Sequence, residues 1–400
     1  MKNRIVTFVG GILLFSGCLG FTPVSGGELR TTSKLKFGER QPVEEASRVE
    51  IDNQIKEPDG KPPKDASVDL LEWLGYERQE SSESTEDASA LKPPLHYFDP
   101  EDDGSSIINS AILSFISMAV YSERADQTAF DYELEDLLIP LGAIDVEAFV
   151  DNKGTEGAVV TLPGATIIAF RGTSGEGTDL PIADQLADIN DYPYLVEIDG
   201  DDMYLHEGFW HNAVNNYSWI YWRAYNATQN DRKVWVTGHS LGGALATHTA
   251  LLLHYDQNIS VQGLQTFGSP RTGDLTMFTK FFEQNDHGDD LWSATTRWVV
   301  DGDPATTFFY GNYLGAPFIS TYVKYEHVGK TNTIYGNTND GFTVEPNTGE
   351  DHDMKWVISG LNQGREHMWY HPALVEEAYL QLSEEGYFEV ADLLWEALKL

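Results

Sequence analysis

Residues 234–246, VWVTGHSLGGALA, constrain the fold more than any other stretch of the chain. An apolar, β-branched run ends at Gly238, and after Ser240 the chain passes at once into small, helix-forming residues. One serine therefore hands a strand over to a helix within a Gly-x-Ser-x-Gly setting. The glycines take away Cβ atoms where the strand and helix backbones converge, and so tight a turn pushes the serine hydroxyl clear of the sheet.

The rest of the chain supplies the sheet that such a turn needs. Ser106 to Glu123 places Ile107, Ile108, Ala111, Ile112, Phe115, Ile116 and Ala119 on one helical face. Ala158 to Leu162 and Thr166 to Phe170, separated by Pro163-Gly164, predict a hairpin whose second strand runs into Arg171-Gly172-Thr173. A long helix is expected from about Glu207 to Tyr225, and another from Ser240 to Leu253. Strands are expected at Val261 to Phe267, Thr296 to Val300 and Tyr322 to His327, with a helix from Leu275 to Phe282. Strands alternating with helices at this spacing predict an α/β architecture, a mainly parallel twisted sheet with helices on both faces.

The N-terminus reads differently. A basic start at Lys2 and Arg4 precedes a short apolar core from Ile5 to Phe15, then Ser16-Gly17-Cys18. Residues 1–18 are thus expected to be an export signal, too short to span a bilayer. Cys18 resembles the attachment cysteine of a bacterial lipoprotein, with Phe15 standing where such signals usually carry leucine. The expectation is lipid attachment at Cys18 and an exported protein, either held in the cell envelope or secreted. Cys18 is the chain's single cysteine, so no intrachain disulfide can form.

Residues 19–94 are poor in aromatics and rich in Glu, Ser, Pro, Lys and Asp, and cannot bury enough apolar surface to offset ordering entropy. They are read as a disordered acidic linker, with residual local structure at Val68 to Leu74, ahead of a domain at 95–400. With 26 Lys and Arg against 63 Asp and Glu, the formal charge is −37, which repels phosphate backbones and argues against nucleic-acid partners.

A serine hydroxyl is a poor nucleophile near neutral pH. An acyl-transfer enzyme built on Ser240 needs a histidine to take the proton, a carboxylate to orient that histidine, and donors for the oxyanion. Four segments give the chain its resemblance to the class 3 (fungal-type) lipase family, of α/β-hydrolase fold: Ile167 to Thr173 (IIAFRGT), Leu205 to Phe209 (LHEGF), the Ser240 turn, and Thr266 to Arg271 (TFGSPR). The resemblance implies oxyanion donors at Thr173 and at Leu241, whose amide opens a helix. It implies an acid within Arg297 to Pro304 (RWVVDGDP), where matching from the arginine selects Asp303 over Asp301.

Two histidines fit the base. His352 opens HDMKWVI, a helix start like the family's, and its spacing suits the plant and bacterial branch, so it is preferred. His367, in EHMWY, resembles the fungal enzymes' terminal His-Leu-x-Tyr and is the alternative. His371, before Pro372, is read as a helix cap, and His239 as packing beneath the serine.

Between Thr173 and His206 the family places its lid. Here Ile182, Leu186 and Ile189 recur at helical spacing, with Asp184, Asp188 and Asp191 around the other side. Gln185 stands where fungal lipases usually carry a lid tryptophan, and Gly175-Glu176-Gly177 loosens the hinge. Phe308, Phe309, Tyr310, Tyr313 and Phe318 fit either an acyl groove or core packing. The acidic runs at Asp199 to Asp202 and Asp99 to Asp103 lack the ligand spacing of a calcium loop, and no metal or cofactor is expected. The resemblance thus implies hydrolysis of carboxylic esters of acylglycerol type through an acyl-enzyme on Ser240. A phospholipase A1 or a feruloyl-type carboxylesterase on the same scaffold is the enzymatic alternative, and a catalytically silent surface lipoprotein the non-enzymatic one.

Overall fold

A computed structural model describes residues 91–121, 127–151, 155–173, 191–307, 309, 311–314, 321–337, 341–345 and 370–398. In chain order its strands and helices are α1 (Ile107–Ala119), α2 (Gln127–Leu138), β1 (Asp145–Val150), β2 (Glu156–Leu162), β3 (Ala165–Phe170), β4 (Pro193–Ile198), β5 (Asp201–His206), α3 (Glu207–Asn215), α4 (Tyr217–Gln229), β6 (Lys233–His239), α5 (Leu241–Leu251), β7 (Val261–Phe267), α6 (Leu275–Lys280), β8 (Thr295–Val300), β9 (Gly311–Leu314), β10 (Thr321–Lys324), β11 (Lys330–Asn337), β12 (Gly341–Glu345), α7 (Tyr370–Glu384) and α8 (Phe388–Leu398).

Eight strands form one sheet in the order β1-β2-β3-β6-β7-β8-β11-β12. The five strands from β3 to β11 are parallel, and antiparallel strands flank them on both sides. Alternate residues of one strand face opposite sides, so Ile167 and Ile168, or Trp235 and Val236, belong to different cores. α1, α7 and α8 cover one face, and α3, α4 and α5 the other. This is the α/β-hydrolase architecture expected from the sequence.

Local details follow from residue chemistry. Ser106 caps α1 by accepting from the Asn109 amide at 3.2 Å. The β2–β3 hairpin turns at Gly164, whose φ of 75° lies in the region glycine favours. The expected helix from Glu207 to Tyr225 is two helices, α3 and α4, broken at Asn216. The expected strand at Tyr322 to His327 is the short β10, paired with β9 in a separate ribbon; the main sheet takes β11 instead.

Asp199 and Asp201 join Glu283 around the buried ammonium of Lys280, at 3.0, 2.8 and 2.8 Å, so this acidic loop holds an ion-pair network. His371 is buried in the first turn of α7, where its ring meets Ser114 Oγ at 3.0 Å and the Leu398 carbonyl at 2.6 Å. It serves the end of α8 and not its own helix. Among the described residues, no helix is long and apolar enough to cross a membrane.

Candidate active site

Thr173, Ser240 and Asp303 follow the carboxyl ends of β3, β6 and β8 respectively, where open α/β sheets bind their ligands. Ser240 sits between β6 and α5 at φ 57° and ψ −127°, a left-handed conformation rare for a side chain larger than hydrogen. Such backbone strain costs about 1–3 kcal/mol and persists only where the surroundings enforce it. Here the Ser240 amide donates to the Phe267 carbonyl at 2.8 Å, and the Gly243 amide to the Ser240 carbonyl at 3.0 Å. A Cβ on Gly238 would stand 2.3 Å from the Gly242 backbone, and one on Gly242 would stand 2.2 Å from the Phe170 carbonyl oxygen. Both glycines are therefore required by close approach. The Ser240 hydroxyl is buried and has no hydrogen-bond partner among the described residues.

The oxyanion candidates flank this serine. Leu241 is the first residue of α5, so its amide has no partner within the helix. β3 pairs with β6 up to Phe170 and Gly238, after which the Arg171-Gly172-Thr173 turn leaves the sheet. A Cβ built on Gly172 would lie 3.1 Å from Ser240 Cβ, so the turn passes directly beside Ser240. Thr173 Oγ1 is buried and without a partner among the described residues.

Asp303 is 1% exposed, whereas Asp301 is exposed. Asp303 Oδ1 accepts from the Ala305 amide at 2.8 Å, and Oδ2 from the Tyr370 hydroxyl at 2.5 Å. Burial first, and then the Asp303 charge, push the Tyr370 phenol well above its ordinary range. The loop after Asp303 is pinned by two side chains from neighbouring loops: His327 donates to the Thr306 carbonyl at 2.8 Å, and Arg271 to the Thr307 carbonyl at 3.3 Å. Burial, reinforced by Arg297 and Arg271, holds His327 well below the usual histidine range, so it is a neutral donor.

Of eleven histidines, nine are described, and each is engaged elsewhere. His206 caps α3 against the Phe209 amide, and burial takes it down to about 3. His248 and His254 bond the carbonyls of Thr272 and Asp289. His96 and His287 bond those of Gly142 and Asn258, and His211 meets Glu207 at 3.7 Å. His239, the residue before Ser240, is buried, with Nδ1 at 2.9 Å from the Tyr121 hydroxyl and its ring 5.8 Å from that of Tyr370. Both base candidates, His352 and His367, lie outside the described residues, as do Ile182, Leu186 and Ile189 of the expected lid and Cys18.

Two residues were not anticipated as part of the site. Tyr370 touches Asp303, and Tyr121 joins His239 to the Gly172 turn. Tyr370 follows His367 by three residues, which was the available signal for it; nothing in the local sequence marked Tyr121.

Residues 167–312 match the family model Lipase (class 3). The match supports the class 3 lipase family for this segment, which contains Thr173, Ser240 and Asp303. Solved structures similar to this chain include the triacylglyceride lipase of Rhizomucor miehei, 22% identical over 67% of this chain and 95% of its own, with a TM-score of 0.48. A triacylglycerol lipase from Penicillium expansum is 19% identical over 58% and 82% of the two chains, at 0.40. The mono- and diacylglycerol lipase from Aspergillus oryzae is 18% identical over 62% and 91%, at 0.40. No curated protein matches the chain.

Proposed function

We propose that this protein is a serine hydrolase that cleaves carboxylic esters of acylglycerol type. The observation that carries the reading is the strained Ser240 turn, with Asp303 buried two parallel strands away. In the proposed cycle Ser240 attacks the ester carbonyl, and the amides of Thr173 and Leu241 bind the oxyanion. A histidine oriented by Asp303 takes the serine proton and then delivers it to the leaving alcohol; water completes hydrolysis by the reverse roles.

Chain connectivity favours His367 as that base, the alternative over the preferred His352. His367 precedes Tyr370 by three residues, which span at most about 11 Å, and the Tyr370 hydroxyl rests on Asp303. His352 has no such tether: it follows Glu345, the last residue of β12, by seven residues, so the preference rests on the Tyr370 contact alone.

Labelling with a fluorophosphonate probe, lost in Ser240→Ala, is the expected result. A wild type that resists the probe would instead favour the silent surface lipoprotein. Among labelled outcomes, nitrophenyl esters of graded chain length beside phospholipid and feruloyl substrates test the acylglycerol class. Turnover confined to the feruloyl ester, or to phospholipid, would replace it with the corresponding alternative.

A further inference from the structure

Gly172 presents a question that its backbone does not answer. Its φ is not in the left-handed region, so glycine is required there for space. A Cβ would stand 2.0 Å from the Tyr121 hydroxyl and 2.6 Å from the His239 carbonyl oxygen. The phenol therefore occupies the volume a side chain would otherwise fill, and it lies against the turn that carries Thr173.

We propose that Tyr121 is a positioning residue for the oxyanion-binding turn, fixing Thr173 relative to Ser240 through a tie that packs against Gly172 at one end and hydrogen-bonds His239 at the other. This rests on the hydrolase reading above and adds a residue to it. The Arg171 amide makes the last sheet-like bond of its segment, to the Glu156 carbonyl at 2.9 Å. The next residue, Gly172, has its backbone directly against the Tyr121 oxygen, where a Cβ would stand 2.0 Å away. The same phenol oxygen lies 2.9 Å from His239 Nδ1 and 3.5 Å from the His239 carbonyl oxygen. One oxygen thus joins the residue before Thr173 to the residue before Ser240. Arg171, paired with Glu156 at 2.5 Å, places its guanidinium 5.6 Å from the centre of the Tyr121 ring.

The tie has a second anchor on the same helix–strand contact. Ser117 Oγ meets Thr237 Oγ1 at 3.0 Å. Ser117 lies in the last turn of α1 and Tyr121 in the turn that follows it, while Thr237 and His239 are alternate residues of β6, so the two bonded pairs lie side by side where α1 ends on β6. An oxyanion donor must sit within a few tenths of an ångström of its working distance, and a misplacement of about 1 Å costs about 100-fold.

Tyr121→Phe keeps the ring and removes the tie. On the full chain, kcat for a nitrophenyl ester should fall about 10- to 100-fold with KM within about twofold. The inhibition constant of an arylboronic acid, whose adduct with Ser240 mimics the oxyanion, should rise by a similar factor. Ser117→Ala removes the neighbouring anchor and leaves the Gly172 contact, so it should keep kcat within a few-fold. A second pair reads the tie from the other end and does not depend on the folding of Tyr121→Phe. Asparagine at 239 places Oδ1 about where Nδ1 stands, so His239→Asn should retain more activity than His239→Ala.

Unchanged kcat in Tyr121→Phe, an equal loss in Ser117→Ala, or equal activities for the two His239 variants would each overturn the assignment. A wild type that neither labels with fluorophosphonate nor hydrolyses the ester overturns the hydrolase reading itself, and this one with it.

Discussion

The Tyr370 hydroxyl donates to Asp303 Oδ2 across 2.5 Å while accepting from the Val300 amide at 3.0 Å. The phenol thus links the candidate acid to the last residue of β8, and its ring stands 5.8 Å from that of His239. Removing the hydroxyl orphans one buried amide and takes one donor from a buried carboxylate. A hydrogen bond to a charged group is worth about 1.5–3 kcal/mol. Tyr370→Phe is expected to lower Tm by several degrees and kcat by about tenfold, read by thermal unfolding beside ester turnover. Wild-type values for both would mean that Asp303 is held by its other contacts alone.

The two base candidates separate by single substitutions. His367→Ala should lose several orders of magnitude in kcat, and His352→Ala only a modest factor, because removing a general base leaves only what oxyanion and substrate binding contribute. Unfolding curves of both variants check that the loss is chemical. The reverse ranking would restore His352 as the base and break the argument from the Tyr370 tether.

The parts of the site that could be read from sequence are those in which a local pattern carries a local constraint. Gly238 and Gly242 are dictated by approaches of 2.3 and 2.2 Å within one turn and its neighbouring strand, and the Gly-x-Ser-x-Gly spacing records them directly. Asp303 was preferred to Asp301 only through the family resemblance, matched from Arg297; that it is the buried one of the two is visible in the fold and not in the sequence. Tyr121 and Tyr370 escaped because their partners lie 118 and 67 residues away, and no short pattern encodes such a contact. β11 escaped for another reason: Lys330-Thr331-Asn332-Thr333 is polar, and its place in the sheet comes from pairing with β8. Apolar Tyr322-Val323 drew the strand assignment instead, yet it pairs with β9 outside the main sheet.

Export and anchoring rest on the N-terminal pattern ending at Cys18, and a direct test is available. Expressed with its own leader in a bacterial host fed radiolabelled palmitate, the chain should carry the label in the membrane fraction. Cys18→Ser should lose it and appear in soluble form. An unlabelled, soluble wild type would reduce the leader to an ordinary cleaved signal.

His371 gives a pH dependence whose sign can be worked out. Burial lowers it to about 4, while the unfolded chain titrates near 6.5, so the unfolded state takes up the proton first as the pH falls. Stability is therefore fully present above about pH 6.5 and is lost progressively down to about pH 4, to a total of about 3 kcal/mol for a ring this buried. His371→Gln keeps a donor toward the Leu398 carbonyl but does not titrate. It should be less stable than wild type at pH 8, through imperfect packing against Ser114 and Phe115. The gap in Tm should then narrow as the pH is lowered from 7 to 4.5, because only the wild type pays for protonating the ring. A gap that stays constant across that range would show that His371 does not contribute to the acid lability of the fold.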